Sequence, residues 1–150
     1  MKLLVQRVSS ATCVVAGEAI GVIEKGLLCF VSFRRGDQTD LIPIMAKKLA
    51  NLRVFEDEAG KMNLSVKDLN LSILTIPQFT LEANTQKGYR PSFTEALSPN
   101  LAKTYYEAFN EALKKQGVSV EEGEFAAHMH IHASNDGPVS LLLERTSNDD

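Results

Sequence analysis

The sequence contains only two cysteines, Cys13 and Cys29, and both lie among apolar residues, as buried free thiols usually do. A disulfide framework needs more cysteines in so short a chain. The sequence also lacks a hydrophobic run long enough to cross a bilayer. The apolar run at its start meets Gln6 and Arg7 at once, which is too early for a signal-peptide core. We therefore expect a cytoplasmic protein without disulfides.

A surplus of basic residues is lacking too, since 16 Lys and Arg face 19 Asp and Glu, for a net charge of -3. Nucleic-acid binders usually carry a basic surplus, but a local patch can guide phosphates while the rest of the surface stays acidic. The length of 150 residues and the hydrophobic fraction of 44% predict one domain, 1–150, with a sizeable core. Residues 146–150 are predicted to form a frayed polar tail.

Strand patterns outnumber helix patterns. Strands are predicted at 2–8, 11–16, 19–23, 27–33, 71–76, 126–133 and 139–143, with a tight turn at 17–18 and another turn at 57–60. The run at 27–33 is apolar throughout, which indicates burial on both faces. One helix follows Thr39 or Asp40, with Leu41, Ile44, Met45, Lys48, Leu49 and Leu52 at helical spacing, and a second is predicted at 101–116. Because strands and helices do not alternate one for one, we expect an α+β fold with a curved, barrel-like, mixed or antiparallel sheet and two main helices.

The familiar catalytic signatures are missing. The sequence has no GxSxG elbow, no HExxH helix, no GxxxxGK[ST] loop and no dinucleotide fingerprint. Neither cysteine has a histidine close by in the sequence. No side-chain nucleophile is indicated, and no cofactor is expected.

Three histidines alternate along one predicted strand, at His128, His130 and His132. On a strand they would share one face, and three imidazoles can hold zinc with an open fourth position. Same-face neighbours are about 6.5 to 7 Å apart at the backbone, so convergence on one ion is awkward. We favour a solvated polar face, with Met129 and Ile131 in the core, over a metal site.

Two further segments lie where predicted strands end. At 77–81 a buried strand gives way to a loop, and free backbone N–H groups there could hold a developing oxyanion. Alternatively, Phe79 and Leu81 simply pack and Thr80 faces water. At 135–140 the sequence NDGPVS suggests a turn between two strands, and an ordinary hairpin would explain it.

These two segments, together with others, closely resemble the D-aminoacyl-tRNA deacylase family. The similarity covers nearly the whole chain. It includes LVQRVSSATCVV at 4–15, GKMNLSV at 60–66, PQFTL at 77–81, KGYRPSF at 87–93, GEFAAHM at 123–129 and NDGPVS at 135–140. Each motif is weak alone, but their order and spacing together are highly specific.

The resemblance implies a homodimer that hydrolyses the ester of tRNA carrying a D-amino acid or glycine, with active sites at the subunit interface. Backbone N–H groups around Phe79 and Thr80, in the loop that starts at Gln78, would hold the ester carbonyl. A cis Gly137–Pro138 motif would reach into the partner's pocket, where its carbonyl oxygens receive the α-ammonium group and exclude L side chains. Three further residues are assigned to this filter or to the substrate pocket: Arg7, which would fix the motif, Asn135 and Met129.

Two positions depart from the family pattern. Pro77 replaces a serine, and Ser140 replaces a threonine. The missing nucleophile is consistent with the resemblance, because an aminoacyl ester is already activated and its ribose hydroxyl can assist hydrolysis. Thr80 is therefore expected to position the substrate rather than to attack it. The predicted tRNA contacts are Lys87 and Arg90, with Lys47 and Lys48 as weaker candidates.

Alternatives from other functional classes remain open at this point. One is a metal-dependent hydrolase that uses the three histidines. Another is a catalytically silent RNA-binding or interaction module, with Pro77 marking the lost chemistry. A third is the related animal-type deacylase, whose Gly-Pro bond is trans.

Overall fold

A computed structural model describes residues 1–147. The strands are β1 (Lys2–Val15), β2 (Glu18–Ile23), β3 (Gly26–Ser32), β4 (Phe55–Glu56), β5 (Met62–Leu64), β6 (Ser72–Pro77), β7 (Ser119–Glu122) and β8 (His130–Glu144). The helices are α1 (Leu41–Ala50) and α2 (Pro99–Lys115), and a 3₁₀ turn spans Phe79–Glu82. Of the tail predicted at 146–150, residues 148–150 lie outside the described part, and the Ser147 hydroxyl accepts a hydrogen bond from the Gln38 amide at 2.8 Å.

The long strand β1 organises the sheet. Along one edge it pairs antiparallel with β8, and along the other it pairs antiparallel with β3 and then β2. Strands β3, β6 and β7 continue the sheet in parallel. The result is a curved mixed sheet, nearly closed into a barrel, with both helices packed on it. The predicted α+β class is confirmed.

The core has two parts, one on each face of the sheet. Leu27, Cys29 and Val31 of β3 pack with the helices, whereas Leu28 belongs to the second cluster with Leu74. The prediction that this strand is buried on both faces is confirmed. Both cysteines are free and buried, as expected.

Several predicted boundaries were wrong. The strands predicted at 2–8 and 11–16 are one strand, because the β1 ladder continues through Ser10, which faces Ser134. The tight turn lies at Ala16–Gly17, where both φ angles are positive, one residue before the predicted position. In α1, Ile44 is 42% exposed, and the helix buries Ile42 and Ala46 instead. The sequence patterns also missed β4, β5, β7 and the 3₁₀ turn.

The C-terminal part differs most from prediction. Residues 126–129 precede β8 rather than belonging to it, and Ala126 has a φ of 64°. Residues 135–138 do not form a hairpin turn between two strands. Both flanking segments are parts of β8 and pair with β1, so the segment is a bulge within a single strand.

Candidate active site

The first segment of the site begins where β6 ends. The backbone N–H of Gln78 donates a hydrogen bond to the Val31 carbonyl at 2.8 Å, and the chain then enters the 3₁₀ helix. The Phe79 ring is 58% exposed and meets Phe93 edge to face, with centroids 5.3 Å apart. The amides of Phe79 and Thr80 open the turn, and the first N–H groups of a helix have no acceptor within it. They are therefore suited to bind a carbonyl oxygen.

Side chains on both sides of Phe79 stabilise this turn. The side-chain amide of Gln78 donates a hydrogen bond to the Thr80 hydroxyl. Glu82, only 3% exposed, accepts a hydrogen bond from Ser32 at 2.8 Å, and its other carboxylate oxygen lies 3.5 Å from the Lys2 ammonium. Lys2 also donates to the Leu81 carbonyl at 3.2 Å. The Glu82 carboxylate thus anchors the turn to β1 and β3. The hydrogen-bond partner of the Thr80 hydroxyl is an amide, which cannot act as the base that a nucleophilic hydroxyl needs.

Sequence reasoning missed the group formed by Lys2, Ser32 and Glu82. The three residues lie far apart in the chain and come together only because β1 and β3 are neighbours in the sheet. The one available signal was a carboxylate directly after a segment that packs against the core. Burial of a carboxylate requires partners, so Glu82 predicted a hydrogen-bond donor but not which one.

Pro77, which replaces the serine of the family pattern, is the last residue of β6. It faces Val31, whose carbonyl is already bonded to the Gln78 amide. It also lies beyond the last pair between β6 and β7, which joins Thr75 and Glu122. The missing N–H of proline therefore costs no ladder hydrogen bond to either neighbouring strand.

The second segment is the bulge in β8. Gln6 faces Ser140 while Val8 already faces Asn135, so residues 136–139 leave the ladder. The Gly137–Pro138 peptide is cis, as the resemblance implies, and both residues are exposed.

Glycine is required at position 137 by backbone geometry and by space. Its φ is +125°, a region that L side chains rarely adopt. A methyl group there would also lie 3.0 Å from the Val139 amide nitrogen and 3.2 Å from the Arg7 guanidinium. The backbone of the bulge is therefore enclosed on the side that faces Arg7 and Val139, while its other side stays open to solvent.

Arg7 ties this bulge to the body of the protein. Its side chain is buried, with Nη1 donating to the Val54 carbonyl at 2.7 Å and Nε donating to the Asp136 carbonyl at 3.2 Å. Nε also lies 3.4 Å from the half-exposed Asp136 carboxylate. Hydrogen bonds from a charged donor to carbonyls are stronger than those between neutral groups. One guanidinium thus links β1, the segment before β4 and the bulge.

The two remaining predicted pocket residues, Asn135 and Met129, lie apart, and Ser140, the second departure from the family pattern, lies at the end of the bulge. Ser140 accepts a long hydrogen bond of 3.4 Å from Gln6, and Asn135 is exposed. Met129 lies instead beside the end of β6, around Gly123. A methyl group on Gly123 would be 3.0 Å from the Met129 sulfur and 3.4 Å from Pro77. Gly123, which sequence reasoning did not single out, is therefore needed for the close approach of these side chains.

The two segments do not meet within one chain. Among residues 1–147 no hydrogen bond, ion pair or ring contact joins residues 77–82 to residues 135–140. Lys87 and Arg90 are exposed in the loop after the 3₁₀ turn. Asn84 and Ser92 close this loop with two backbone hydrogen bonds of 2.7 and 2.9 Å. Lys47 and Lys48 lie elsewhere, in the last turn of α1.

The histidines follow the solvated-face interpretation in part. His130 and His132 are exposed on β8, while Met129 and Ile131 pack against the second core cluster. His128 precedes the strand, and its ring is edge to face with that of His130 at 5.0 Å. Within the described range 1–147, no three His, Cys, Asp or Glu side chains are grouped so that they could hold a metal ion.

Burial raises the pKa of both cysteine thiols, and for Cys13 the nearby Glu124 charge adds to that effect.

Comparison with known proteins gives a consistent result. The family model described as D-Tyr-tRNA(Tyr) deacylase matches residues 4–144. A D-aminoacyl-tRNA deacylase of Thermotoga petrophila is 49% identical over 96% of this chain and 97% of its own length. The protein of the same name from Chloroherpeton thalassium is 51% identical over 96% of this chain and 95% of its own.

Solved structures show the same fold. One titled c-Myc DNA Unwinding Element Binding Protein superposes with a TM-score of 0.91 at 38% identity, covering 98% of this chain and all of that one. A probable eukaryotic D-amino acid tRNA deacylase superposes with a TM-score of 0.84, covering 95% of this chain and 97% of that one. At 14% identity, the second likeness concerns the fold alone. No helix within residues 1–147 has the length and apolar character needed to cross a membrane.

Proposed function

Because this chain belongs to the D-aminoacyl-tRNA deacylase family, we propose that its active site is completed across a homodimer, by the 3₁₀ turn of one subunit and the Gly137–Pro138 bulge of the other. Membership of the family makes the chain a hydrolase that acts on aminoacyl-tRNA. The proposal concerns the residues that perform the reaction and the source of chiral selectivity. The observation that carries it is an exposed backbone bulge, fixed by Arg7, that does not meet the 3₁₀ turn of its own chain.

The surface around the bulge favours a second copy as the partner. Among the described residues, β8 pairs only with β1 and leaves its other edge open. Leu141 and Leu142 on this strand are 36% and 57% exposed. An open edge with apolar side chains is a surface that proteins normally cover. In a symmetric dimer each subunit supplies the same patch, so two identical sites form at once.

The chemistry in the site would come from backbone groups. The amides of Phe79 and Thr80 would donate hydrogen bonds to the ester carbonyl oxygen as it gains negative charge. Gln78 orients Thr80 through the hydroxyl, and Glu82 holds the end of the turn. Water then attacks an ester that its own ribose hydroxyl activates, so the protein contributes position and charge stabilisation rather than a nucleophile.

Chirality would be selected by repulsion of the wrong side chain. The carbonyl oxygens of Gly137 and Pro138 would hold the α-ammonium group, while the 3₁₀ turn holds the ester carbonyl. Two of the four substituents of Cα are then fixed. A D side chain points to open space, whatever its size. An L side chain meets the backbone of the Gly137–Pro138 bulge, which Arg7 prevents from retreating. Glycine has no side chain to exclude, so glycyl-tRNA would also be hydrolysed.

Single-turnover deacylation of D-tyrosyl-, L-tyrosyl- and glycyl-tRNA tests the selectivity. We expect the D-tyrosyl and glycyl esters to be cleaved and the L-tyrosyl ester to be spared. Efficient cleavage of L-tyrosyl-tRNA, or full resistance of glycyl-tRNA, would show that the filter does not operate as described.

The subunit arrangement is tested by sedimentation at micromolar concentration. One species of twice the chain mass is expected, and an active monomer would exclude a cross-subunit site. Complementation gives a stricter test, in which Gly137→Ala and a variant disabled in the 3₁₀ turn are mixed. Because each inactive variant retains one intact half of the site, mixed dimers would recover one working site.

A further inference from the structure

A basic cleft lies between α1 and the end of β8, and its lining includes no residue of 77–82 or 135–140. It has a volume of about 900 Å³. Five cationic side chains line it: Lys47, Lys48, Arg53, Lys67 and Arg145. Glu144 is the one acidic residue in its lining. Leu143 and Leu142 form its apolar side, and Leu142 also belongs to the open edge of β8 that the proposed dimer would cover, so the inference concerns the cationic side of the cleft.

Most of these cations are not neutralised by the protein. Within residues 1–147, no ion pair shorter than 4.0 Å involves Lys47, Lys48, Arg53 or Lys67. Arg34 and Lys114, by contrast, are paired with carboxylates, Arg34 with Glu95 at 3.1 Å and Lys114 with Glu111 and Glu122 at 3.2 Å. A protein with net charge -3 thus concentrates positive charge in one concave surface.

The acidic neighbours only partly offset this charge. Asp68 lies beside the cleft, where hydrogen bonds from Ser65 lower its pKa, with a smaller contribution from Arg53 and Lys67. Its carboxylate is directed to the Ser65 amide at 2.9 Å. Arg53 is held by Asn63 through two hydrogen bonds, one of 3.0 Å from Nε to the backbone carbonyl and one from Nη2 to the side-chain oxygen, which leaves the Nη1 N–H groups for a ligand.

From this arrangement we infer that the cleft binds the phosphodiester backbone of tRNA, through residues other than those proposed to hold the ester. The ligand identity rests on the proposed function, because a hydrolase of aminoacyl-tRNA must hold a polyanion while its own net charge is negative. Several cations in one concave surface raise the local potential and suit a phosphate backbone. Lys47 and Lys48, weak candidates in the sequence, gain Lys67 and Arg145 as neighbours only through the fold.

The direct test replaces three of these lysines together, as Lys47→Gln, Lys48→Gln and Lys67→Gln. The matched control carries Lys61→Gln, Lys103→Gln and Lys115→Gln, which removes the same charge from exposed positions outside the cleft. Binding of uncharged tRNA is measured over a range of salt concentrations. Each lost phosphate contact reduces the slope of log K against log salt by about 1. We expect the cleft variant to lose about 2 to 3 from that slope and about tenfold or more in affinity at low salt.

Kinetics separate this inference from the proposed catalytic site. The cleft variant should raise KM for D-tyrosyl-tRNA with little change in kcat, and should cleave D-tyrosyl-adenosine, which has no phosphates, at the wild-type rate. If the wild-type protein cleaves neither ester, the proposed function fails, while the tRNA-binding measurement still decides the role of the cleft.

Three outcomes would overturn the inference. The first is a cleft variant whose salt slope and affinity equal those of the matched control. The second is a change in sedimentation for the cleft variant alone, which would make this face a subunit contact. The third is saturable binding of inorganic phosphate to the wild type with unchanged tRNA binding in the variant, which would assign a small-anion site instead.

Discussion

Arg7 offers the sharpest test of the proposed chirality filter, because one side chain fixes the bulge from inside the protein. Its guanidinium bonds the Val54 carbonyl at 2.7 Å and the Asp136 carbonyl at 3.2 Å. A hydrogen bond from a charged donor contributes about 1.5 to 3 kcal/mol, and loss of the first would leave the carbonyl of the buried Val54 unsatisfied. Arg7→Met removes both bonds and should therefore cost about 3 to 5 kcal/mol of unfolding free energy.

Such a loss approaches the whole stability of many domains, so Arg7→Lys is the more informative variant. Lysine keeps the positive charge but not the planar fork that reaches two carbonyls at once. We expect it to lose one of the two bonds, about 1.5 to 3 kcal/mol. If the bulge then gains freedom to retreat, the ratio of D-tyrosyl to L-tyrosyl cleavage should fall by roughly 10- to 100-fold. Most of that fall should come from faster cleavage of the L ester.

Asp136→Asn is the matched control. The Asp136 carboxylate is about half exposed and lies 3.4 Å from Arg7, so its ion pair is worth at most about 1 kcal/mol. The variant keeps the backbone carbonyl that Arg7 binds, and it should keep both stability and selectivity. Urea unfolding gives the stabilities, and single-turnover deacylation gives the ratio. An Arg7→Lys protein with lower stability but full rejection of L-tyrosyl-tRNA would refute the idea that Arg7 holds the filter.

Three further predictions concern different parts of the molecule. Gly137→Ala forces a side chain into positive φ against the Val139 amide, so it should lower the free energy of unfolding by about 1 to 3 kcal/mol. It should also displace the carbonyl oxygens proposed to hold the α-ammonium group and so abolish cleavage of D-tyrosyl-tRNA. Urea unfolding and single-turnover deacylation measure the two effects, and a neutral result contradicts the geometry. Burial raises the pKa of Tyr106 from 10.0 to about 12, so stability is complete below pH 10 and falls towards pH 12. Tyr106→Phe should flatten that part of the urea-derived stability profile by about 2 to 3 kcal/mol, and an unchanged profile would assign the loss to other groups. The deacylation rate should stay within about tenfold of wild type when His128, His130 and His132 are all replaced by Gln. A loss of activity that added zinc restores would favour a metal enzyme.

The fold was most predictable where local pattern and burial agree. The apolar run of β3 predicted a strand with two buried faces, and the structure confirms it. The strand β1 shows where local pattern fails. Ser9 and Ser10 look like an interruption, but ladder hydrogen bonds come from the backbone, so two exposed polar side chains do not end a strand. A sequence pattern cannot show this without knowing the partner strand.

The bulge in β8 could not be predicted from turn chemistry. Asn, Asp, Gly and Pro together usually indicate a reversal of the chain, because they favour the backbone angles of turns. Here the same angles are used to push residues 136–139 out of a continuous ladder, and the distinction depends on pairing with Gln6 and Val8 at the other end of the sequence. The family resemblance identified the segment, but the residues alone did not separate a bulge from a hairpin.

The positions where this chain departs from the family pattern are physically consistent with a site built from backbone groups. The groups proposed to contact substrate are the amides of Phe79 and Thr80 and the carbonyl oxygens of Gly137 and Pro138. Pro77 precedes these amides and costs no hydrogen bond to Val31, whose carbonyl accepts from Gln78. Such a site tolerates side-chain replacement next to it, provided that the backbone is held. The strict requirements then fall on the residues that hold it: Arg7, whose two carbonyl contacts fix the bulge, and Glu82, whose buried carboxylate fixes the turn.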